Sequence, residues 1–208
     1  CSTIPCGVEG RSKWAGVAAG PDNMLYCAPH HASVVLVIDP VNGTCSTIPC
    51  GVGGSFNFKW AGIAVGPDDK LYCPPNNASG VLVIDTATRT CSTIPCSVTG
   101  SYKYYSIAAA SNGKLYSAPR KAKEVLVIDP ATSSCRTIPC GVKGNNEWWS
   151  IAEGPDGILY APPREGSDVL MIDLKTDTCR TIPSGASSTS WLGLAAGADG
   201  KLYSAPGT

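Results

Sequence analysis

The chain has 208 residues, of which 43% are apolar, and it contains 23 glycines, 17 prolines and 11 cysteines. Its 16 basic and 16 acidic side chains cancel to a net charge of zero, and no basic stripe typical of nucleic-acid binders is present. The longest apolar run, residues 34–38, is far shorter than the roughly 20 residues that a membrane-spanning helix needs. We therefore expect neither a nucleic-acid partner nor a transmembrane segment.

One sequence pattern recurs from end to end with a period of about 44 residues. Each of the four complete copies has an opening aromatic residue, a turn, a Leu-Tyr pair, an apolar segment that reads V-x-V-I-D (V-L-M-I-D in the fourth copy) and a Thr-Ile-Pro segment; a fifth copy has only the first three. The tyrosines of the Leu-Tyr pair are Tyr26, Tyr72, Tyr116, Tyr160 and Tyr203. Four short strand-like pieces in such a period predict the four-stranded blade of a β-propeller.

Each piece of the copy over residues 60–96 fits one position in a blade. Residues 60–67 are rich in Gly and Ala, which suits the innermost strand, where backbones of neighbouring blades approach closely. Residues 81–84 are apolar on both faces, as expected for a strand between two blades. Asp85 and its counterparts Asp39, Asp129 and Asp173 are predicted to form turns rather than to bind metal.

The segment V-L-V-I-D-T-A-T-R-T-C-S-T-I-P (residues 81–95), with G-I-A-V-G-P-D-D-K-L-Y (residues 62–72), resembles the YVTN-type β-propeller repeat and, more distantly, the NHL repeat. The resemblance covers essentially the whole chain. It implies a propeller fold. Because YVTN-type propellers are typical of cell-surface and surface-layer proteins, it also implies an extracellular scaffold.

The chain is therefore predicted to be all-β, with a single β-propeller domain over residues 1–208. Complete blades are predicted over residues 14–50, 60–96, 104–140 and 148–184. Residues 191–206 form a partial blade without its apolar third strand, and residues 1–6 form an outer strand of a preceding or closing blade. Two arrangements remain open: a five-bladed ring with an incomplete last blade, or a segment of a longer array. The missing strand could be replaced by the N-terminal strand or supplied by another chain.

The cysteine content favours an oxidising, secreted or cell-surface setting. Two glycosylation sequons, at Asn42 and Asn77, fit the same setting. Cys27 and Cys73 lie where other copies carry Ser or Ala, so they are predicted to be packed structural thiols.

Nine cysteines lie in or next to the Thr-Ile-Pro segments, and two pairing schemes are open. Bonds between successive repeats would join Cys6 to Cys45, Cys50 to Cys91, Cys96 to Cys135, and Cys140 to Cys179. This scheme leaves Cys1 alone, and Ser184 stands where its partner would lie. The alternative is a local C-x4-C bond within each segment, which requires the proline to bend the chain sharply.

A ligand-binding site is expected where the copies differ. Two sets of variable loops are predicted to share one face, which carries Phe56, Phe58 and Tyr102. Exposed aromatic rings with polar neighbours suit sugar stacking or a protein contact. Such rings can also simply pack on the blade tops. His30 and His31 are expected in a solvated loop, and no metal or cofactor is predicted.

No nucleophile–base pair, zinc motif or phosphate loop is present, so the sequence predicts a protein that is not an enzyme. The predicted function is an extracellular structural or interaction scaffold, a building block of a surface layer, appendage or fibre. Its partners would be proteins, including copies of itself joined through the incomplete last blade. The alternative is a lectin-like propeller that binds glycans through Phe56, Phe58 and Tyr102.

Overall fold

The computed structural model describes residues 3–51, 57–141, 147–185 and 190–207. Within these ranges the chain forms 22 β-strands and no helix, which confirms the all-β prediction. Accordingly, no helix in the described ranges is long and apolar enough to cross a membrane.

The first three blades are four-stranded antiparallel meanders in which each strand pairs with the next along the chain. Blade 1 comprises β1 (Trp14–Ala19), β2 (Leu25–Pro29), β3 (Val34–Asp39) and β4 (Thr44–Pro49). Blade 2 comprises β5 (Ala64–Val65), β6 (Leu71–Cys73), β7 (Gly80–Asp85) and β8 (Thr90–Pro95). Blade 3 comprises β9 (Ala108–Ala109), β10 (Leu115–Ser117), β11 (Glu124–Asp129) and β12 (Ser134–Pro139).

Blade 4 adds a small ribbon to the same meander, and blade 5 is shorter. Blade 4 comprises β13 (Glu147–Trp148), β14 (Ala152–Glu153), β15 (Ile158–Ala161), β16 (Pro163–Glu165), β17 (Asp168–Asp173) and β18 (Thr178–Pro183). Blade 5 comprises β19 (Ser190–Trp191), β20 (Ala195–Ala196), β21 (Leu202–Tyr203) and β22 (Pro206–Gly207). In blade 4, β13 pairs with β16 beside the sheet β14-β15-β17-β18. Among the described residues of blade 5, the pairs β19-β22 and β20-β21 form.

The blades stack face to face in chain order. On the inner side, β1 contacts β5, β5 contacts β9, and β14 contacts β20. On the outer side, β4, β8, β12 and β18 contact one another in that order. This arrangement is that of a β-propeller and confirms the predicted fold class.

The third strand of each of the first four blades supplies the core between neighbours. In β7, Leu82 and Ile84 pack with Val35 and Val37 of blade 1. The alternate residues of β7, Val81 and Val83, pack in the cluster shared with blade 3. Because side chains of a strand alternate between its two faces, an apolar residue at every position buries both faces.

The aromatic residue that opens each of the first four blades anchors the entry loop to the third strand. Each ring donates a hydrogen bond to a backbone carbonyl at the start of that strand. The bonds are Trp14 Nε1 to Val34 O (2.9 Å), Trp60 Nε1 to Gly80 O (2.9 Å), Tyr104 Oη to Glu124 O (3.1 Å) and Trp148 Nε1 to Asp168 O (3.0 Å). Trp60, Tyr104 and Trp148 are buried, whereas Trp14 is only partly buried.

The innermost strands are shorter than predicted. In blade 2 only Ala64 and Val65 form a strand with β6, and Trp60 makes an isolated bridge to Pro75. Between these points Gly62 lies against blade 3, where an added Cβ would be 2.9 Å from the carbonyl oxygen of Tyr105. The chain therefore breaks its pairing within the blade because its backbone packs directly on the neighbouring blade.

The recurring aspartates form turns, as predicted. Asp39 accepts backbone N–H bonds from Val41 and Asn42, both at 2.9 Å, and Asp85 accepts one from Thr88 at 3.0 Å. Backbone hydrogen bonds hold the pKa of both carboxyls below the ordinary value. Such Asx turns tie the end of the third strand to the outer strand.

The N-terminal segment differs from the prediction of an outer strand over residues 1–6. Residues 3–9 contain no strand, and residues 1 and 2 lie outside the described ranges. The segment stays near Lys13, whose ammonium donates to the carbonyl of Val8 and lies 3.7 Å from Cys6 Sγ. In the described ranges, no strand pairs with the outer edge of β21.

Candidate functional site

Variable loops of blades 2, 3 and 4 meet in one continuous cluster of aromatic rings and guanidinium groups. We call this cluster the aromatic–arginine face. It consists of Phe58, Tyr102, Tyr105, Arg120, Trp149 and Arg164. The two loop sets predicted to share a face therefore do meet.

The histidines of blade 1 pack against one end of this face, and His30 is buried rather than in a solvated loop as expected. His30 and His31 stack with their ring centroids 5.0 Å apart. Both rings meet Phe58 of blade 2 edge-on, at 4.7 and 4.6 Å. Burial lowers the pKa of His30, so its imidazole is neutral near pH 7.

Phe58 and Tyr102 link blade 2 to blade 3, with ring centroids 5.6 Å apart. Both have left-handed backbone conformations, with φ of 60° and 55°. Ser12 has φ of 49° at the corresponding position of blade 1. A small or polar residue adopts this conformation at lower cost than a bulky aromatic one. The aromatic rings at two of the three positions are therefore not needed for the loop conformation, which indicates that they serve to make contacts.

Arg120 of blade 3 lies at the centre of the face. Its guanidinium carbon is 4.8 Å from the Tyr102 ring, 4.9 Å from the Trp149 ring and 5.9 Å from the Tyr105 ring. Glu147 Oε2 accepts hydrogen bonds from Arg120 Nε at 3.3 Å and from Trp149 Nε1 at 3.2 Å. A guanidinium held between rings and a carboxylate is fixed in orientation.

Arg164 forms the other end of the face in blade 4. Its guanidinium lies 4.8 Å from Trp149, whose ring also stacks on Tyr105 at 4.9 Å. The Nε atom of Arg164 is buried and has no hydrogen-bond partner. The amide of Asn76, the residue after the bridging proline in blade 2, is also buried with both atoms unpaired.

Buried lysines support the loops below the face. Lys103 Nζ donates to Ala78 O at 2.8 Å and to Gly100 O at 3.0 Å, and Lys59 Nζ donates to His31 O at 3.2 Å. Burial lowers the pKa of both ammonium groups. Both lysines directly precede the opening aromatic residue of their blade. In blade 4 that residue is Glu147, which pairs with Arg120 instead.

The structure brings Phe58 and Tyr102 together, while Phe56 lies outside the described residues. The other four members of the face were not predicted as site residues. A signal for two of them exists in the sequence. The residue after the opening aromatic is Ala15 and Ala61 in the first two copies but Tyr105 and Trp149 in the next two.

The two predicted glycosylation sites differ in their surroundings. Asn42 is exposed in the turn after β3, where its amide donates to Asp39 Oδ2 at 2.7 Å. The Asn77 amide is engaged at both ends: Nδ2 donates to Asn57 O at 2.9 Å, and Oδ1 accepts from Tyr102 N at 2.7 Å. Glycosylation at either residue stays a prediction.

The cysteines with described positions are free thiols in the structure, so the proposed disulfides stay predictions. Cys27 and Cys73 are buried, and Ser117 and Ala161 are buried at the equivalent positions of blades 3 and 4. Across the described ranges, no group of three or more His, Cys, Asp or Glu side chains is arranged to hold a metal ion.

Comparison with known proteins places the chain by its fold. No protein-family model and no curated protein matches the sequence, so membership of the YVTN or NHL family stays a prediction. Solved structures do match. A streptogramin B lyase has a TM-score of 0.82 at 15% identity, with 97% of this chain and 65% of that chain covered. Virginiamycin B lyase from Staphylococcus aureus has a TM-score of 0.80 at 15% identity, with 94% and 64% covered.

The extracellular domain of a hybrid two-component system from B. thetaiotaomicron also matches, with a TM-score of 0.70 at 14% identity. The match covers 96% of this chain and 26% of that one. These likenesses show the propeller fold. The chain spans slightly less than two thirds of the length of the two lyases.

The prediction that the chain is not an enzyme needs correction. The lyases that share its fold are enzymes, and one was solved as a catalytically inactive histidine variant with quinupristin. The absence of familiar catalytic motifs therefore does not exclude catalysis on this fold. Motif searches miss such sites because a propeller assembles its residues from separate blades rather than from one sequence segment.

Proposed function

We propose that the chain is an extracellular interaction module that binds an acidic carbohydrate on its aromatic–arginine face. The observation that carries this proposal is the unbroken series of ring and guanidinium contacts from Phe58 to Arg164. Three successive blades contribute to it, so the contacts form a surface rather than an isolated pair.

Aromatic rings support a sugar ligand because the C–H faces of a pyranose pack against the negative face of a ring. Phe58, Tyr102 and Trp149 are each only partly buried. The left-handed backbone of Phe58 and Tyr102 adds to this support, since an aromatic residue there costs more folding energy than a serine would.

Positive charge supports an acidic ligand. Arg120 forms an ion pair with Glu147 through its Nε atom. Two further cations lie beside the rings, Arg164 next to Trp149 and Lys121 next to Tyr102. A planar guanidinium binds carboxylate or sulfate groups in a two-point contact that a neutral sugar lacks. The extracellular setting is supported by the cysteine content, the two sequons and the likeness to extracellular propeller domains.

A glycan array with neutral, uronic-acid and sulfated oligosaccharides tests the proposal. We expect the acidic sugars to bind, and we expect their binding to weaken as salt is raised. Phe58→Asn and Tyr102→Asn are the suitable variants, because asparagine tolerates positive φ. Each should weaken binding about tenfold or more, as should Arg164→Gln.

Matched controls lie on blade 5: Tyr203→Ala removes an exposed ring, and Lys201→Gln removes an exposed cation. Both should leave the affinity unchanged. The proposal fails if no acidic sugar binds, or if the face variants and the blade 5 controls bind equally well.

A second candidate function is self-association of two copies through blade 5, as one of the contacts that a layer, appendage or fibre would need. The outer edge of β21 has no partner strand in the described ranges, and a depression of 610 Å³ lies between blades 4 and 5. Tyr203 and Leu192 in this blade are 56% and 46% exposed. We propose a second copy as the occupant, with its own β21 pairing edge to edge with this one.

Size-exclusion chromatography with light scattering tests this assembly. We expect a concentration-dependent dimer, and we expect Leu202→Lys at the edge to abolish it. A monomer at high concentration would rule out the contact.

A further inference from the structure

The outer strands bring cysteines of neighbouring blades together. Each of these strands carries a cysteine at its second residue, and in blades 1 to 3 another cysteine follows its last residue. The first group is Cys45, Cys91, Cys135 and Cys179, and the second is Cys50, Cys96 and Cys140. Because β4, β8, β12 and β18 lie side by side, the cysteine after one strand reaches the second residue of the next.

The interface between blades 2 and 3 has the closest pair. Cys96 Sγ and Cys135 Sγ are 2.7 Å apart. Cys135 Sγ also lies 3.1 Å from the carbonyl oxygen of Pro95, the last residue of β8. The two thiols thus meet directly across the interface, with no side chain between them.

The interface between blades 3 and 4 repeats this arrangement. Cys179 Sγ lies 3.1 Å from the carbonyl oxygen of Pro139, the last residue of β12. The thiols of Cys140 and Cys179 are hydrogen-bonded to each other. The same geometry at two interfaces indicates a property of the repeat rather than of one loop.

We propose that Cys96 bonds to Cys135, and Cys140 to Cys179, as disulfides that join successive blades. We extend the proposal to Cys50 and Cys91 between blades 1 and 2, because both thiols pack in the same core cluster. There Cys50 Sγ donates to Ser33 O at 2.7 Å, so its side chain must rotate to form the bond. Cys6 contacts Val8 and Lys13, so its pairing with Cys45 rests on the sequence alone.

Strand geometry disfavours the alternative bond within each segment. Cys91 lies in β8, and Cys96 follows the last residue of that strand. Five steps along an extended strand span about 16 Å at roughly 3.3 Å per residue. A disulfide requires Cα atoms within about 7 Å. The proline at the end of β8 does not fold the chain back, since Pro95 pairs with Gly80 in regular register.

Each bond forms by thiol–disulfide exchange with a small disulfide oxidant of the glutathione class. The hydrogen bond from Cys96 lowers the pKa of Cys135 and so favours its thiolate. That thiolate attacks one sulfur of the oxidant, and the other sulfur leaves as a thiol after taking up a proton. Cys96 then loses its proton and attacks Cys135 Sγ, which releases the second thiol. Two protein thiols lose two electrons and two protons, and one oxidant disulfide becomes two thiols.

The series of bonds ends at blade 4, where Ser184 replaces the next cysteine. The replacement changes the side chain only, because the backbone makes the same hydrogen bond at Ser184 as at the equivalent cysteine. Ser184 N donates to Ser167 O at 2.8 Å, as Cys96 N donates to Ser79 O at 3.3 Å. Among the described residues, blade 5 therefore has no cysteine that could tie it to blade 4.

Peptide mapping of the wild-type protein tests the pairing directly. The folded protein is oxidised with a glutathione redox buffer, alkylated, digested without reduction and analysed by mass spectrometry. We expect linked peptides that contain Cys96 with Cys135, and Cys140 with Cys179. Links within one segment, or thiols that stay alkylatable after oxidation, would overturn the proposal. This test does not depend on the folding of any variant.

Variants then test the contribution to stability. Reduction of the oxidised protein should lower Tm by at least about 15 °C, because it breaks at least two bonds that each close a loop of about 40 residues. Cys135→Ser should expose Cys96 to alkylation and reduce this drop. Cys27→Ser is the matched control, because serine occupies the same position in blade 3, and it should change neither result. If reduction leaves Tm unchanged in a protein with mapped links, the bonds do not stabilise the fold and that part of the proposal fails.

Discussion

One hydrogen bond recurs in four of the five hairpins that follow the innermost strands. In blade 2, Tyr72 Oη donates to Asp68 Oδ2 at 2.8 Å, and blades 1, 4 and 5 have the same pair at 2.7 to 2.8 Å. Burial, with the aspartate as second cause, raises the pKa of Tyr72. In blade 3 the partner is an amide: Asn112 Nδ2 donates to Tyr116 Oη at 2.9 Å.

This exception allows a matched test of the charged bond. We expect Tyr72→Phe to lower the free energy of unfolding by about 1.5 kcal/mol, because hydrogen bonds to charged groups contribute more than neutral ones. Tyr116→Phe should cost about 0.5 kcal/mol, because its partner is neutral. Urea unfolding of both variants measures the difference. Equal losses would show that ring packing, not the aspartate, determines the contribution of the tyrosine.

His30 predicts a pH dependence of stability. Its pKa is lowered in the folded state, chiefly by burial, so the unfolded chain binds the proton more readily. Stability should therefore be constant above about pH 7 and fall as the pH drops below the unfolded value of about 6.5. The slope is at most about 1.4 kcal/mol per pH unit for one group.

Urea unfolding between pH 5 and 8 measures this slope. The variant His30→Gln should remove the part of the slope that His30 contributes. The carboxyls with lowered pKa, such as Asp39 and Asp173, titrate below this window. A slope that persists unchanged in His30→Gln would assign the effect to other groups.

At the scale of the elements, glycine on the innermost strand sets the distance between blades. We expect Gly62→Ala to destabilise the protein by about 1 to 3 kcal/mol, because its Cβ would lie 2.9 Å from the Tyr105 carbonyl oxygen in a rigid backbone. Ser106 is the equivalent residue of blade 3 and already has a Cβ. Its hydroxyl is buried without a partner, so Ser106→Ala should be neutral or slightly stabilising. Thermal unfolding of the two variants tests the contrast.

Most strands and turns were predictable from the sequence. A feature could be predicted when it depends on residues within one repeat copy, and it was missed when it depends on a neighbouring blade. The third strands and the Asp85-type turns depend on local patterns, namely alternation and side-chain bonding to nearby backbone. The break at Gly62 depends on a neighbouring blade, so no pattern within one copy reveals it. The same reason explains the site: Phe58 and Tyr102 were predicted from their loops, whereas Arg120 depends on Glu147 of the next blade.

At the scale of the whole molecule, stability should decrease toward blade 5. Over residues 190–207, that blade has two short ribbons, and its opening Trp191 is partly exposed, whereas the opening residues of blades 2 to 4 are buried. We expect amides of β20 and β21 to exchange with deuterium well before those of β7 and β11, because local opening needs less buried surface to be exposed. Hydrogen exchange followed by mass spectrometry measures this order. Uniform protection over all five blades would contradict it.

The pairing of Arg120 with Glu147 has a consequence for how a repetitive chain finds its correct order. Near-identical copies invite mis-stacking, in which a blade docks on the wrong neighbour by slipping one period. Blades 1, 2 and 3 carry Lys13, Lys59 and Lys103 where blade 4 carries Glu147, so a slipped partner would set ammonium against guanidinium. Like charges in a partly dry interface repel. The carboxylate of Glu147 therefore favours blade 4 over a second copy of blades 1 to 3 as the neighbour of blade 3.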